Sequence, residues 1–333
     1  MNNDELSKHR HIHKHFGGSR PERRRLLPKG TKIGKYQIEA CIGQGGFGDI
    51  YGATFLNNSK IYALKLESIK YTKHKSYLFN EMQYLQLLQD SLDFPLYIDS
   101  GITTKYRYLV MELLGPSVSN VRRELGRHKF SLSTTLRLAM KMLRCIENVH
   151  NHGILHCDIK PGNFLLRPDY LNFLVLVDFG LAQMYMDHNE HKPPKDHVGF
   201  NGTLKYASVN SMRENSLSRK DDLISWLYSV YEIKNGKLPW DGIEKKQMKI
   251  MKKNFPNSQY FSTLPSEFHL IYDYITNLGY YDKPDYNYIN DIILKIMLRK
   301  SMYMTEPYDW EHLSKNHILS FSPIAELPKS TWC

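Results

Sequence analysis

Cysteine is scarce: the chain of 333 residues has four, Cys41, Cys145, Cys157 and Cys333, at spacings that fit neither a disulfide framework nor a metal knuckle. Reduced thiols in an intracellular protein are the expectation. Long apolar runs are missing too. None approaches the roughly 18 residues of a membrane span, and the N-terminus opens on polar and basic residues instead of a charged stub followed by an apolar core, so a soluble chain is expected. The cysteine at the C-terminus is the last residue, whereas prenylation needs it fourth from the end, so lipid anchoring has no support. Acidic residues are outnumbered, 34 against 45 Lys and Arg, for a formal charge of +11. That surplus suits polyanionic partners: phosphorylated or acidic proteins, nucleic acid, or an anionic membrane surface. Charge alone does not choose among them.

With 41% hydrophobic and 24% charged residues the chain reads as globular, as one large domain or two lobes. Residues 1–30 stand apart, with eight Lys or Arg against three acids. They have no apolar periodicity and contain Gly17, Gly18 and Pro21, so a disordered basic tail is expected over 1–34. Within it, His9, His11, His13 and His15 alternate as a solvated tail or a metal ligand set would. The arginines between Arg20 and Arg25 suit a solvated linker, a polyanion contact or a nuclear import patch, so a cytoplasmic or also nuclear location is expected.

From Tyr36 onward strands alternate. Ile42-Gly43-Gln44-Gly45-Gly46-Phe47-Gly48 contains a GxGxxG that is weak alone, since dinucleotide folds and chance both produce it. A hairpin follows, with strands at 49–55 and 61–66 around Asn57-Asn58-Ser59, where a dinucleotide fold would place a helix. Glycines let such a backbone lie over phosphates, and Lys65 of Tyr62-Ala63-Leu64-Lys65 is placed to reach them. A helix is predicted over 78–88, with Leu78, Met82, Leu85 and Leu88 on one side. It carries Glu81, the favoured ion-pair partner of Lys65, although Glu67 is nearer in sequence. A strand over 106–111 ends in a connector, Glu112-Leu113-Leu114-Gly115-Pro116, whose backbone at 112–114 suits an adenine edge; Met111 suits a limit to the pocket behind it, simple core packing, or both. A long helix over 133–151, closed by Gly153, leads into the next segment.

That segment is His156-Cys157-Asp158-Ile159-Lys160-Pro161-Gly162-Asn163, followed by two strands and Asp178-Phe179-Gly180. Phosphoryl transfer from a magnesium nucleotide needs these residue types. Asp158 would orient an attacking hydroxyl, Lys160 would steady the γ-phosphoryl, and Asn163 with Asp178 would supply oxygen ligands to the metal. Each has a duller alternative, as turn former, cap or loop acid; their joint occurrence after a glycine loop and a lysine favours chemistry.

Met111-Glu112-Leu113-Leu114-Gly115-Pro116-Ser117, Lys160-Pro161-Gly162-Asn163-Phe164-Leu165, Gly202-Thr203-Leu204-Lys205-Tyr206-Ala207-Ser208, Arg219-Lys220-Asp221-Asp222-Leu223, Leu238-Pro239-Trp240 and Asp282-Lys283-Pro284-Asp285-Tyr286 resemble the signatures of eukaryotic protein kinases of the casein kinase 1 group. The resemblance runs from about residue 35 to 313, and residues 130–138 with Val209 lean toward the tau-tubulin kinase branch. It implies an α+β, bilobal protein kinase fold: a β-rich N-lobe over about 35–111, a hinge at 112–115, a helical C-lobe over 116–313 and a short tail over 314–333. It further implies ATP and Mg2+ between the lobes and transfer to protein Ser or Thr. The nucleotide would be lined by Ile42, Gly43, Gly45, Gly46, Phe47, Gly48, Ile50, Ala63, Lys65, Glu81, Met111, Glu112, Leu113, Leu114, Leu165 and Asp178. Asp158, Lys160, Asn163 and Thr203 would be catalytic, and Asp222 would brace the loop from beneath.

Acidic or phosphorylated substrates would meet Lys205 by position, with Lys245, Lys246 and Lys249 in the corresponding basic region or simply solvated. Two residues depart from the pattern: Cys157 replaces an arginine, and Leu227 a common glycine. In many kinases that arginine holds an activation-loop phosphate, and between 178 and 203 only Tyr185 and Thr203 carry hydroxyls. Activity that does not wait for phosphorylation there is the expectation. Asp158 beside Cys157 would disfavour its thiolate, making an inert thiol the better reading than an oxidant sensor. A degenerate scaffold or a nucleic-acid-binding protein are the competing classes. The first conflicts with retention of Lys65, Asp158, Lys160, Asn163 and Asp178, and the second has charge but no recognition motif.

Overall fold

Short runs rich in apolar and aromatic residues from Ile33 onward build an antiparallel sheet from β1 (Lys32–Ile33), β2 (Tyr36–Gly45), β3 (Gly48–Phe55), β4 (Ile61–Ser68), β5 (Tyr97–Ile102) and β6 (Tyr106–Met111), in the spatial order β1-β2-β3-β4-β6-β5. The computed structural model describes residues 25–46, 48–56, 60–71, 76–188, 190–322 and 327. Expectations for Phe47, the turn at 57–59, the histidine alternation, most of the basic tail and Cys333 lie outside the described residues.

One face of the sheet buries Ile38, Tyr51, Leu64, Leu66 and Val110 in a core of its own. The other receives α1 (Tyr77–Leu87), which docks through Leu78, Leu85 and Leu88. Ser76 starts this helix, its Oγ accepting from Phe79 N at 2.9 Å.

Beyond Met111 the chain becomes mainly helical. After α2 (Val118–Glu124) comes α3 (Leu132–Asn151), whose apolar residues recur at helical spacing so that Leu136, Ala139, Leu143, Ile146 and Val149 are all buried. Ser131 caps its start, and Gly153, at φ +73°, turns the chain away from its end. The strands β7 (Ile154–Leu155), β8 (Phe164–Arg167) and β9 (Tyr170–Leu176) follow, with β8 and β9 paired as a hairpin. Short strands β10 (Gln183–Met184), β11 (Met186–Asp187) and β12 (Glu190–His191) lead toward α4 (Arg219–Asn235). Helices α5 (Lys245–Asn254), α6 (Phe268–Asn277), α7 (Tyr286–Arg299) and α8 (Lys315–Leu319) complete the lobe. α3 and α4 form its centre, where Trp226 is fully buried and donates through Nε1 to the Ala139 carbonyl at 2.9 Å. Leu227, the residue in place of a glycine, is buried in the same core.

The α+β, two-lobed architecture expected from the sequence is the one adopted. No described helix is long and apolar enough to cross a membrane.

Candidate active site

Residues 65 and 67 project from the same face of β4, because strand side chains alternate. Lys65 meets Glu81 one turn into α1, donating to its Oε2 at 2.6 Å, and donates also to Asp178 Oδ1 at 2.8 Å. Glu67 lies nearer the helix start. It accepts from Tyr77 N (3.0 Å), Leu78 N (3.2 Å) and Ser76 Oγ (2.5 Å), and pairs with Arg107 at 2.9 Å. The two glutamates thus divide the work: Glu81 holds the lysine, and Glu67 anchors the positive end of the helix that carries Glu81. Asn80 adds a second tie, donating to the carbonyls of Gly180 (3.1 Å) and Ala182 (2.9 Å).

Burial disfavours the Lys65 ammonium, but Asp178 and Glu81 outweigh it and push its pKa up. Burial likewise opposes ionisation of Asp178, yet Lys65 and Lys160 hold its carboxyl down at about 2. A carboxyl depressed in the folded state stabilises above its unfolded pKa of about 3.9, and that contribution is lost as pH falls through the folded value. For Asp178 it amounts to on the order of 2 kcal/mol at neutral pH. Burial shifts Glu81 the opposite way, so the clean measurement is a comparison. Between pH 5 and pH 2, roughly, the wild type should lose more melting temperature than Asp178→Asn. Parallel slopes would contradict the assignment.

The catalytic-loop segment runs from β7 to β8. Asp158, 6% exposed, accepts from Thr203 N at Oδ1 (2.9 Å) and from Lys160 Nζ at Oδ2 (2.5 Å). Lys160 also reaches Thr203 Oγ1 at 3.0 Å. Asn163 donates through Nδ2 to the Asp158 carbonyl at 2.9 Å, which leaves its amide oxygen as an acceptor. Where Gly202 crosses this loop its φ is +113° and an added Cβ would lie 2.9 Å from the Cys157 carbonyl, so glycine is required.

Beneath the loop, Asp222 accepts from the backbone of His156 (2.8 Å) and Cys157 (2.9 Å), the brace anticipated for it. It accepts as well from His150 Nε2 at 2.9 Å, while the Tyr286 hydroxyl donates to His150 Nδ1 at 2.5 Å. Burial lowers the His150 pKa, keeping the ring neutral; burial works against Asp222 as an anion, but the His150 hydrogen bond holds its carboxyl low. Cys157 (φ +66°) and Asp178 (φ +72°) both take left-handed backbone, at about 1–3 kcal/mol each, and both sit in the site. Burial, then Asp222, Asp221 and Asp158, push the Cys157 thiol well above its ordinary range.

Of the residues expected around a nucleotide, Gly43, Gly45, Ile50, Ala63, Lys65 and Met111 lie on neighbouring strands of the sheet. Gly45 faces Gly48 across the turn that contains Gly46, Gly43 pairs with Ile50, Ile50 with Lys65, and Ala63 with Met111. Gly48 has a further reason to be glycine: a Cβ there would meet the Leu66 carbonyl at 2.3 Å. In the connector, Glu112 accepts from Arg167 Nη2 at 3.0 Å and Leu96 N at 3.2 Å, and Gly115 N donates to the Leu166 carbonyl at 2.8 Å. Leu165 lies in β8 beneath, bridged to Ser117. Among the described residues no three His, Cys, Asp or Glu cluster to hold a metal alone. Two oxygen donors, from Asp178 and Asn163, fit a hard ion that takes its other ligands from phosphate and water.

The family model of the protein kinase domain matches residues 36–284. The chain belongs to the protein kinase family. A probable serine/threonine-protein kinase of Dictyostelium discoideum is 36% identical over 283 residues, 84% of this chain and 57% of that protein. The chain spans a little over half the length of this relative.

In this chain the segment after Thr203 is fastened at almost every residue. Trp240 Nε1 donates to the Lys205 carbonyl (2.8 Å), and the Tyr206 hydroxyl to Glu232 Oε2 (2.5 Å). Lys252, 1% exposed, donates to the carbonyls of Leu204 (2.8 Å) and Ala207 (2.7 Å) between the rings of Tyr228 and Trp240, and burial drives its pKa well down. Sequence reasoning missed Lys252 and His150. Lys205 pairs with Glu232 (2.8 Å) and Asp241 (2.9 Å), so the chain itself already meets much of the charge expected to face substrate.

Proposed function

We propose that this kinase transfers the γ-phosphoryl of ATP to serine and threonine hydroxyls of proteins, as a member of the casein kinase 1 group on its tau-tubulin kinase-like side. The observation that carries the reading is Asp158 held between Thr203 N and Lys160, whose charge also acts on Asp178 of the Lys65–Glu81–Asp178 cluster. Asp158 is then the acceptor of the substrate proton. Lys160 faces the charge that develops on the transferred group, and Thr203 fixes both. Asp178 and Asn163 would hold magnesium, Lys65 the inner phosphates, and the backbone at 112–114 the adenine. Magnesium ATP supplies the phosphoryl group and screens its charge. Incubation with casein and magnesium ATP should yield phosphoserine and phosphothreonine; phosphotyrosine alone would overturn the hydroxyl selectivity.

Acidic or phosphorylated substrates fit the exposed Lys246 and the half-buried Lys249 of α5 better than Lys205, while the exposed Lys245 is shared with Glu214 at 3.8 Å. A polyanion contact through residues 1–30 and a cytoplasmic or also nuclear location belong to the same proposal.

Independence from activation-loop phosphorylation is supported by both hydroxyls between 178 and 203. Tyr185 is 6% exposed, its hydroxyl donating to the His150 carbonyl at 2.6 Å and accepting from Arg219 at 3.1 Å, and Thr203 touches Lys160. Tyr185→Phe should therefore lower stability by about 1 kcal/mol and leave kcat within about twofold, read from thermal unfolding and initial rates. Lost turnover in a folded variant would contradict it.

A further inference from the structure

The last described part of the chain returns to the nucleotide cleft. Leu319, at the end of α8, lies against the connector, where a Cβ on Gly115 would meet its Cδ2 at 3.4 Å. Leu327 is 2% exposed and forms an apolar cluster with Leu319 and with Ile61 of β4. Packed around them are Ala40 and Ile42 of β2, Leu113 of the connector and Leu171 of β9. The cluster therefore touches both lobes and the segment between them. Two of its members, Ile42 and Leu113, are residues assigned to the nucleotide.

A socket in the sheet receives Leu327. Tyr51 and Ala53 are buried in the core on one face of β3, and strand alternation sends residue 52 to the other. Residue 52 is glycine. A Cβ built there would lie 2.5 and 2.7 Å from the two methyl carbons of Leu327 and 3.1 Å from its Cγ, and these are the nearest atoms it would meet. Glycine inside a strand forgoes a packing side chain and marks a close approach from elsewhere. Here the approaching group is a leucine distant in sequence, seated where the strand's own side chain would be.

We propose that Leu327 is a positioning residue for the nucleotide site: filling the Gly52 socket, it backs Ile42 and Leu113 and ties the smaller lobe to the connector and to Leu319. With it in place the two residues that flank the base are held before nucleotide arrives. Without it they border a void, and ordering them is charged against binding. The inference rests on the reading that ATP occupies this cleft.

The test uses the full chain and compares wild type, Leu327→Ala, Gly52→Leu and the double variant. Magnesium ATP affinity is measured by calorimetry, KM for a casein peptide by initial rates, and folding by thermal unfolding. Leu327→Ala should weaken ATP binding about fivefold, within the usual range of site-to-site coupling, with peptide KM unchanged. Gly52→Leu displaces Leu327 and fills the socket from the strand in its stead, so its ATP affinity should stay near wild type, and adding Leu327→Ala to it should change nothing further. Wild-type affinity in Leu327→Ala overturns the inference. So does equal weakening toward ATP and peptide, which marks a merely structural role, and so do additive effects in the double variant. A wild type that binds no magnesium ATP overturns the functional reading, and this inference with it.

Discussion

Asp158→Asn is expected to reduce phosphate transfer by about 10²–10⁴-fold, the range over which a positioned acid or base acts, while ATP affinity stays near that of the wild type. Asparagine retains the shape, and its oxygen can still accept from Thr203 N, the contact Asp158 makes at 2.9 Å. Its amide NH2, however, faces the Lys160 ammonium, two donors opposed, where the carboxylate accepts at 2.5 Å. Proton acceptance and the placement of Lys160 are lost together. Lys65, Glu81 and the connector are untouched by the change, so binding of nucleotide should survive it. Single-turnover transfer measured beside ATP calorimetry separates the two quantities. A rate within tenfold of wild type, roughly, would remove Asp158 from its role.

The second large effect lies under the loop. Asp222→Ala leaves the backbone N–H groups of His156 and Cys157 and the Nε2–H of His150 without their shared acceptor, in a place where Asp222 is 3% exposed. Stranding buried donors and breaking a buried charged network destabilises by on the order of 3–5 kcal/mol, or about 10 °C in a domain of this size. Because the loop's left-handed Cys157 is held in place by that same carboxylate, turnover should fall more than nucleotide affinity. Asp222→Asn, which keeps one accepting oxygen, should fall between. A shift of less than roughly 2 °C in Asp222→Ala would show that the loop holds itself.

Much of this was legible because the relevant signals are local. The glycine hairpin, the lysine two strands on, and the loop acids occupy short stretches whose residue types have few other joint uses. Strand signals in β2, β3, β4 and β6 and helical spacing in α3 placed them on the right elements, whereas β5 went unread. The choice of Glu81 over Glu67 was legible from its place on the helix after the lysine strand, and Lys65 does donate to Glu81 at 2.6 Å; the role of Glu67 at the start of α1 was not.

What stayed hidden depends on partners distant in the chain. His150 looks like any histidine at a helix end until Asp222, 72 residues on, supplies its acceptor. Lys252 belongs to a lysine-rich helix that reads as solvated, and its burial is created by Tyr228 and Trp240. Lys205 matched a substrate-facing position residue by residue, but its pairing with Glu232 and Asp241 was not visible in that match. Leu327 had no periodic pattern around it. Its one trace in the sequence was Gly52, a lone glycine inside a strand, which announces that something packs there without saying what.

The measurement that bears most directly on the central claim is incorporation of γ-phosphate from magnesium ATP into casein by the full chain, compared with Asp158→Asn and Asp178→Asn. The predicted result is phosphoserine and phosphothreonine from the wild type and near-complete loss in both variants, with each variant still folded. Equal incorporation by all three proteins, or none from a wild type that binds magnesium ATP, would contradict it.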